Sequence, residues 1–369
     1  MIKRKISFAI ATAFFLLSCL PMTSCTKTVQ RISEASDYLV IHSRSKEQAS
    51  GMYCINEKGE ITEKFKNGKM QDLSFFQFNN ERLLISGGRR NNNMLFPLDD
   101  NGHFETLHWL NEANYSGVTA IALLENSALA IMNGNYTETT YLNLLVEQDF
   151  QGKIIQQNTL EIYARDISVS NNCANVAGKH LLKDTNSNIW NATIVSYNLK
   201  NHQMDNQYDY ADFNCFWQIV ENETSLFCLS EDKSETINTV CIINKQTFDI
   251  EAQIKIDDQL NSINIINEKF YVVGDKAIYE ITKADALANT ALSFTTTESG
   301  FVDWAYVYNG HYYVFFRHAQ RIKKKNAYEY GYLFKIDLGA FEKIDIPIYA
   351  DKWTTMDDIL IFPTTMFNQ

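Results

Sequence analysis

The chain has 369 residues, a formal net charge of −11 at pH 7, 4 prolines and many aromatic residues (23 Phe, 19 Tyr and 5 Trp). The acidic balance disfavours a general role in nucleic-acid binding, because contact with phosphates needs a basic surface. The scarcity of proline and of low-complexity sequence excludes a disordered chain, and the aromatic side chains suit packing between half-buried sheets.

The first residues predict export from the cytoplasm. Three basic residues at positions 3–5 precede an apolar stretch from Ile6 to Leu17. This stretch is too short for a membrane-spanning helix and is typical of an export signal. We therefore expect residues 1–24 to form a signal and anchor region, residues 25–37 a linker, and residues 38–369 a single domain.

Two cysteines in this region resemble the lipidated cysteine of bacterial lipoproteins. The segments ending in Ser18-Cys19 and Ser24-Cys25 are both similar to a lipobox, in which a cysteine after a small residue is lipidated. Cys19 has the better apolar lead-in, whereas the break at Pro21 suits cleavage before Cys25. An ordinary secretory signal is a third reading. Lipidation would add more than one acyl chain, which makes membrane attachment stable.

A hairpin motif recurs along the rest of the chain. In each copy an apolar run reaches a polar turn and a second, less regular strand follows. The period is about 47 residues, which is typical of propeller blades. The pattern predicts an all-β β-propeller of seven four-stranded blades, with an eight-bladed or irregular ring as the alternative. The seven turns follow Ile55-Asn56, Leu98-Asp99, Glu147-Gln148, Tyr197-Asn198, Ile243-Asn244, Ile281-Thr282 and Ile336-Asp337.

Seven inner hairpins alternate with these outer pairs. Each predicts the two strands nearest the propeller axis, joined by turns rich in Asn, Asp and Gly. The last hairpin has no outer pair after it, and the first outer pair has no inner partner, so we expect the two chain ends to join in one blade. The inner hairpins span Leu73 to Ser86, Val118 to Met132, Ile167 to Gly178, Phe216 to Leu229, Ile263 to Gly274, Val302 to Phe316 and Trp353 to Phe362.

Two segments fit this scheme less well. Tyr38 to Ser43 also reads as a strand and competes with Ile359 to Phe362 for the second position of the closing blade. The segment from Lys283 to Ala288 reads more like a helical turn than a strand, so we expect an irregular blade there.

Aspartates open six of the seven predicted innermost strands. Because these strands start on one face of a propeller, the carboxylates are candidates for a ligand site at the channel mouth, suited to a cation or to sugar hydroxyls. The alternative is that each aspartate caps local backbone amides, as is common where a loop enters a strand. The six are Asp72, Asp166, Asp212, Asp258, Asp303 and Asp351.

The loops that follow the second strands are basic and are expected on the same face. A basic rim around an acidic mouth would steer an anionic partner such as an acidic glycan or an acidic protein surface. The candidate binding residues are Arg89, Arg90, Arg317 and Arg321, and the rim also includes Arg44, Lys46, Lys179, Lys183, Lys323, Lys324 and Lys325.

Five cysteines follow the signal region, and an odd number cannot pair completely within one chain. Cys228 and Cys241 fall opposite each other if the turn between them lies near residues 234–235, so they form either a cross-strand disulfide or two buried thiols. No Cys/His cluster predicts a metal site. No nucleophile, P-loop or dinucleotide motif occurs, and we expect no cofactor.

In general terms the chain resembles exported bacterial propeller lipoproteins, a set that includes outer-membrane assembly scaffolds and surface proteins of unassigned role. The segment from Lys245 to Asp249 lacks the Gly-Trp ending of quinoprotein-type blades. The resemblance implies a membrane-anchored binding or scaffolding propeller of the bacterial cell envelope, with an envelope protein or glycan as partner. The alternative is an envelope enzyme that acts on glycans through paired channel-mouth carboxylates.

Overall fold

The computed structural model describes residues 35–44, 50–65, 73, 75–78, 83–86, 94–98, 107–108, 117–137, 139–184, 187–294, 299–351 and 356–366. These residues form seven four-stranded antiparallel sheets. We number the sheets as blades 1 to 7 in chain order and give their strands from the inside outward.

Blade 1 contains β28 (Asp358–Pro363), β1 (Tyr38–Ser43), β2 (Ser50–Ile55) and β3 (Ile61–Phe65). Blade 2 contains β4 (Phe75–Phe78), β5 (Leu83–Ser86), β6 (Met94–Leu98) and β7 (Leu107–His108). Blade 3 contains β8 (Val118–Leu123), β9 (Ser127–Met132), β10 (Asn143–Asp149) and β11 (Ile154–Leu160). Blade 4 contains β12 (Tyr163–Ser170), β13 (Cys173–Asp184), β14 (Ser187–Asn198) and β15 (Gln203–Tyr210).

Blade 5 contains β16 (Phe213–Glu221), β17 (Ser225–Asp232), β18 (Ile237–Asn244) and β19 (Ile250–Lys255). Blade 6 contains β20 (Leu260–Ile266), β21 (Lys269–Gly274), β22 (Ala277–Thr282) and β23 (Leu287–Ser293). Blade 7 contains β24 (Gly300–Tyr308), β25 (His311–Lys323), β26 (Ala327–Asp337) and β27 (Lys343–Asp351). A short 3-10 helix, Thr364–Met366, follows β28.

The two chain ends join in blade 1, which confirms the predicted closure. β28 is the innermost strand and pairs with β1, and the register runs from Tyr38 opposite Pro363 to Ser43 opposite Asp358. Both competing segments therefore have a place. The predicted hairpin from Trp353 to Phe362 is wrong, because residues 358–363 form a single strand and β1 supplies the second position.

The polar turns end the third strands, and an Asn or Asp side chain builds five of them. In each, the side-chain Oδ1 accepts a hydrogen bond of 2.8 to 3.0 Å from the backbone amide two residues later. This local bond replaces the ladder bond that the backbone loses at the turn. The five residues are Asn56, Asp149, Asn198, Asn244 and Asp337. In blade 3 the turn is built by Asp149, the residue directly after the predicted pair Glu147-Gln148.

The irregularity predicted in blade 6 is confined to a turn. Residues 283–286 form that turn, with Ala286 at a φ of 50°. β23 then pairs with β22 from Leu287 opposite Thr282 to Ser293 opposite Ala277. The four-strand pattern therefore continues through this blade.

Large aromatic side chains fill the spaces between neighbouring blades. Phe227 of blade 5 stacks on Phe270 of blade 6, with ring centroids 3.4 Å apart. Phe76 of blade 2 contacts Phe362 of blade 1 and Tyr306 of blade 7, at 5.0 and 5.4 Å. The predicted role of aromatic side chains in packing between sheets is confirmed.

The inner strands of blades 3 to 7 share a β-bulge near their start. The side chain just after the bulge bonds to the backbone of the next inner strand in blades 4 to 7. Asp166 Oδ2 accepts from the Ile219 amide at 2.9 Å, and Gln218 Oε1 accepts from the Ile263 amide at 2.7 Å. Ser262 and Trp304 donate to backbone carbonyl oxygens in the same way. These bonds join blades 4, 5, 6, 7 and 1 around the channel.

Candidate functional site

The bulged residues lie where the inner strands start, at one mouth of the channel. A bulge places two residues opposite one, so it turns a side chain away from the regular pleat, and bulges often occur beside functional sites. The bulged residues are Thr119 in blade 3, Arg165 in blade 4, Asn214 and Trp217 in blade 5, Asn261 in blade 6 and Asp303 in blade 7.

Arg165 and Trp217 meet across the junction of blades 4 and 5. The guanidinium carbon of Arg165 lies 3.6 Å from the centroid of the Trp217 ring. Arg165 also donates a hydrogen bond of 3.2 Å to the Tyr163 hydroxyl, and the Trp217 indole NH donates to Glu231. The stack orders a cation without neutralising it, because an aromatic face carries no net charge.

A second cation lies beside the first. Lys179 of β13 is the register partner of Tyr163, at the mouth end of the strand. Its Nζ lies 4.5 Å from the Trp190 ring and 5.5 Å from the Tyr163 ring. Trp190 belongs to the part of the β13–β14 hairpin that extends beyond the register of β12 and β15.

A short loop from blade 3 forms the facing wall. Tyr136 and Tyr141 form an antiparallel bridge in this loop, and their rings are 4.8 Å apart. The Tyr141 hydroxyl donates to Asn133 Oδ1 at 2.6 Å, so the loop is held by its own side chains. The Tyr136 side chain is 65% exposed. The loop therefore places an accessible aromatic ring at the rim.

These elements enclose a cleft of about 560 Å³, which lies within the usual range of roughly 300–1,000 Å³ for small-ligand sites. Among the residues that the structure describes, neither Asp nor Glu lines it. Within the described residues, neither Arg165 nor Lys179 forms an ion pair with a carboxylate. The cleft is therefore a local positive site on an acidic protein. Its lining comprises Asn133, Gly134, Asn135, Tyr136, Tyr141, Tyr163, Arg165, Lys179, Cys215 and Trp217.

The thiol in the lining is not poised for nucleophilic attack. Cys215 is 1% exposed, and burial raises its pKa to about 12, against the opposing effect of Arg165 and Lys179. A thiol with such a pKa is protonated at neutral pH, whereas the thiolate is the nucleophile. The geometry suits binding better than covalent chemistry.

The predicted aspartates do not share one environment. Asp166 bonds across to Ile219 of blade 5, and burial raises its pKa to about 7, against the opposing effects of the backbone amides and Arg165. Asp258 is buried and accepts from the backbone amides of Gln259 and Lys276.

Of the remaining four aspartates, three lie at different places in the structure. Asp303 is exposed and pairs with Arg317 at 3.1 Å, and Asp212 is also exposed, in the turn before β16. The predicted place of Asp351 is wrong, because this residue ends the outermost strand β27 of blade 7 and opens no inner strand. Asp72 lies outside the described residues. The five aspartates that the structure describes therefore share no common position on the inner strands.

The predicted basic residues of the rim also lie in different environments. Arg317 donates to Asp303 and to the backbone oxygens of Met356 and Asp357, so it links β25 to the segment before β28. Arg321 donates to the Tyr330 hydroxyl at 3.3 Å, within its own hairpin. This hairpin belongs to blade 7, which blade 6 separates from the cleft. Arg89 and Arg90 lie outside the described residues.

Other predictions concern cysteines, metals and the membrane. Cys228 and Cys241 are register partners as expected, and both are buried free thiols. Cys19 and Cys25 lie outside the described residues. Within the described ranges, no cluster of His, Cys, Asp or Glu could hold a metal ion. No helix in that part of the chain has the length and apolar character needed to cross a membrane.

Most of the cleft was not predicted from the sequence. Lys179 was assigned to the basic rim, but Arg165, Trp217 and the tyrosines of the rim were missed. A usable signal existed for Arg165, which directly precedes Asp166 at the start of an inner strand. Arg165 and Trp217 each lie at a β-bulge, and these bulges have no recognisable motif in the sequence.

Comparisons with known proteins support the fold and add no family. No protein-family profile matches the sequence, and no curated protein matches it. A functionally unknown protein from Desulfotomaculum acetoxidans superposes with a TM-score of 0.53 at 9% identity, covering 85% of this chain and 98% of that one.

Two further solved structures are similar at the same level. A variant of the apocarotenoid oxygenase of Synechocystis gives a TM-score of 0.51 at 10% identity, covering 86% of this chain and 93% of that chain. A chain of the mitotic checkpoint complex gives 0.52 at 10% identity, covering 74% and 80%. At these identities the similarity shows the β-propeller fold alone, since one fold hosts many functions.

Proposed function

We propose that this chain is a membrane-anchored, extracytoplasmic binding propeller whose ligand surface is the cleft between blades 3, 4 and 5. The observation that carries the binding role is the pair of cations held on aromatic rings. Arg165 and Lys179 are ordered by Trp217 and Trp190 and have no ion-pairing carboxylate within the described residues. Such a pair remains available to an incoming anion.

Binding is favoured over catalysis because the candidate carboxylates make contacts within the protein. Hydrolysis of a glycosidic bond normally needs two carboxyl groups facing the substrate, about 5 to 9.5 Å apart. Asp258 is occupied by backbone amides and Asp303 by Arg317, while Asp166 joins two blades. The alternative of a glycan-degrading envelope enzyme therefore has no comparable support.

The anchored, extracytoplasmic location rests on the sequence. The basic residues at positions 3–5, the apolar stretch that follows and the lipobox-like segments support export and lipidation at Cys19, with Cys25 as the alternative. An anchor would hold the propeller at an envelope surface, where a cleft open at the channel mouth can meet large or fixed ligands.

The anchor is tested by expressing the parent, Cys19→Ala and Cys25→Ala with the native leader in a bacterium. Intact mass and detergent partition are measured for each protein. We expect lipid mass on the parent and its loss in one variant. A parent without lipid would contradict the membrane anchor.

The cleft is tested by tryptophan fluorescence. Saccharide and protein fractions of the host envelope are added separately to the parent and to Trp217→Phe. We expect one fraction to change the emission of the parent and to leave Trp217→Phe with a much smaller change. The absence of any change in the parent with both fractions would contradict the binding role of the cleft.

A further inference from the structure

We infer that the cleft between blades 3, 4 and 5 binds an anionic saccharide, that is, a sugar chain bearing carboxylate or sulfate groups. This inference rests on the proposed function of the cleft and adds the chemical class of the ligand. It is carried by two features of the lining, which are the two cations that form no ion pair within the described part of the chain and the exposed aromatic rim.

The cations call for a negative charge on the ligand. The guanidinium carbon of Arg165 lies over the Trp217 ring, 3.6 Å from the ring centroid, and the guanidinium carries five N–H groups. One of these groups donates to Tyr163. An arginine held in this way presents its remaining donors in a fixed fork that matches a carboxylate or sulfate group. Lys179 adds a point charge beside it, with its Nζ 4.5 Å from the Trp190 ring.

The aromatic rim calls for a ligand with flat C–H faces and hydroxyl groups. Tyr136 is 65% exposed, and its ring and the Tyr141 ring form a T-shaped pair with centroids 4.8 Å apart, so much of the Tyr136 ring is open to solvent. Trp190 lies 6.3 Å from Tyr136, also at a steep angle. A pyranose ring can pack its C–H face on such a ring, while its hydroxyls reach the polar groups of the lining.

An extended acidic peptide fits the cleft less well. One common way in which an extended peptide binds a β-protein is to add a strand to a free sheet edge. The cleft is built of side chains and of a loop closed by the bridge between Tyr136 and Tyr141. The loop backbone is also used internally, since the Leu142 amide donates to the Asn135 oxygen at 3.0 Å. A saccharide needs no such edge.

The inference is tested by isothermal titration of the purified parent with four probes. These are an oligogalacturonate, the same oligosaccharide with its carboxyls reduced to alcohols, a sulfated chondroitin oligosaccharide and a poly-glutamate peptide. We expect a charged saccharide to bind, and its affinity to fall as salt is raised from about 50 to 500 mM, because exposed charges are screened. Comparing the two charged saccharides tells carboxylate from sulfate recognition.

Variants localise the binding. Arg165→Gln is expected to weaken affinity for the charged saccharide about tenfold to a hundredfold, since it removes charged hydrogen bonds. Lys179→Gln and Tyr136→Ala are expected to act in the same direction. Lys58→Gln, in an exposed turn of blade 1, is the matched control and should bind like the parent. Thermal unfolding of each variant confirms that the fold is kept.

Three results would overturn the inference. They are equal binding of the charged and reduced oligosaccharides, binding of poly-glutamate without either charged saccharide, and no binding of any probe. In the last two cases the proposed function still stands if an envelope fraction changes the emission of the parent through Trp217. The two tests therefore distinguish a wrong ligand class from a cleft that binds no ligand.

Discussion

Replacing Asp166 with asparagine tests whether this carboxyl is a structural link between blades or an ionised site residue. Its Oδ2 accepts the Ile219 amide hydrogen bond at 2.9 Å. Asparagine keeps an acceptor oxygen at that place and cannot ionise. The substitution therefore preserves the bond between blades 4 and 5 and removes the titration.

The expected size of the effect follows from the pKa of Asp166, which burial raises from 3.8 to about 7. Between these values the folded protein holds a proton that the unfolded chain releases. The contribution of this group is therefore full at low pH and is lost as the pH rises towards 7. The parent should lose about 2 to 3 kcal/mol of stability from this group between about pH 5 and pH 8. Asp166→Asn has no such loss.

The assay is urea unfolding of the parent and of Asp166→Asn at about pH 5 and pH 8. The variant should gain about 2 to 3 kcal/mol relative to the parent on going from the lower to the higher pH. Asp212→Asn, at an exposed turn, is the matched control and should follow the parent. A pH-independent difference between Asp166→Asn and the parent would refute the reasoning.

Two further predictions concern packing and thiol chemistry. Phe227→Ala should cost about 3 to 5 kcal/mol in urea unfolding, because it removes a fully buried ring stacked on Phe270 between two blades; a loss below about 1 kcal/mol would contradict this packing. Alkylation of the native protein should modify the partly exposed Cys173 before Cys228 or Cys241, because burial raises the pKa of the latter two thiols. Peptide mass mapping measures the order of labelling. Early labelling of Cys228 or Cys241 would contradict their burial.

The seven-bladed ring could be predicted because its signals are local and repeated. An Asn or Asp at the end of a third strand builds its own turn, as at Asn244 and Asp337, so residue type and position carry the structure. The register of Cys228 against Cys241 followed from one turn position in the same way. Closure was predictable because the chain ends supply complementary parts of a blade.

The candidate site could not be predicted to the same degree because it depends on bulges. A bulge shifts the strand by one residue and changes which side chain faces the channel mouth. In blade 4 the bulged residue is Arg165 and Asp166 turns to the next blade, whereas in blade 7 Asp303 itself is bulged and pairs with Arg317. Aspartates that look equivalent in sequence are therefore not equivalent in space.

Segments that are distant in sequence but adjacent in space also determine the role of a predicted basic residue. Arg317 lies on the expected face, but the segment before β28 offers it the backbone oxygens of Met356 and Asp357. That segment is about 40 residues away along the chain, so no local pattern could indicate the contact. On the same face, the arginines of the blade 7 hairpin are hydrogen-bonded within the protein, whereas the cleft between blades 3, 4 and 5 presents its cations to a ligand.

The central claim is that ligand binds in this cleft, and amide hydrogen exchange with and without the active envelope fraction tests it most directly. We predict slower exchange on binding in residues 133–142, 163–166 and 215–217, with little change in the blade 7 hairpin at residues 317–327. Protection confined to the blade 7 hairpin, or no protection in the three cleft segments, would contradict the account.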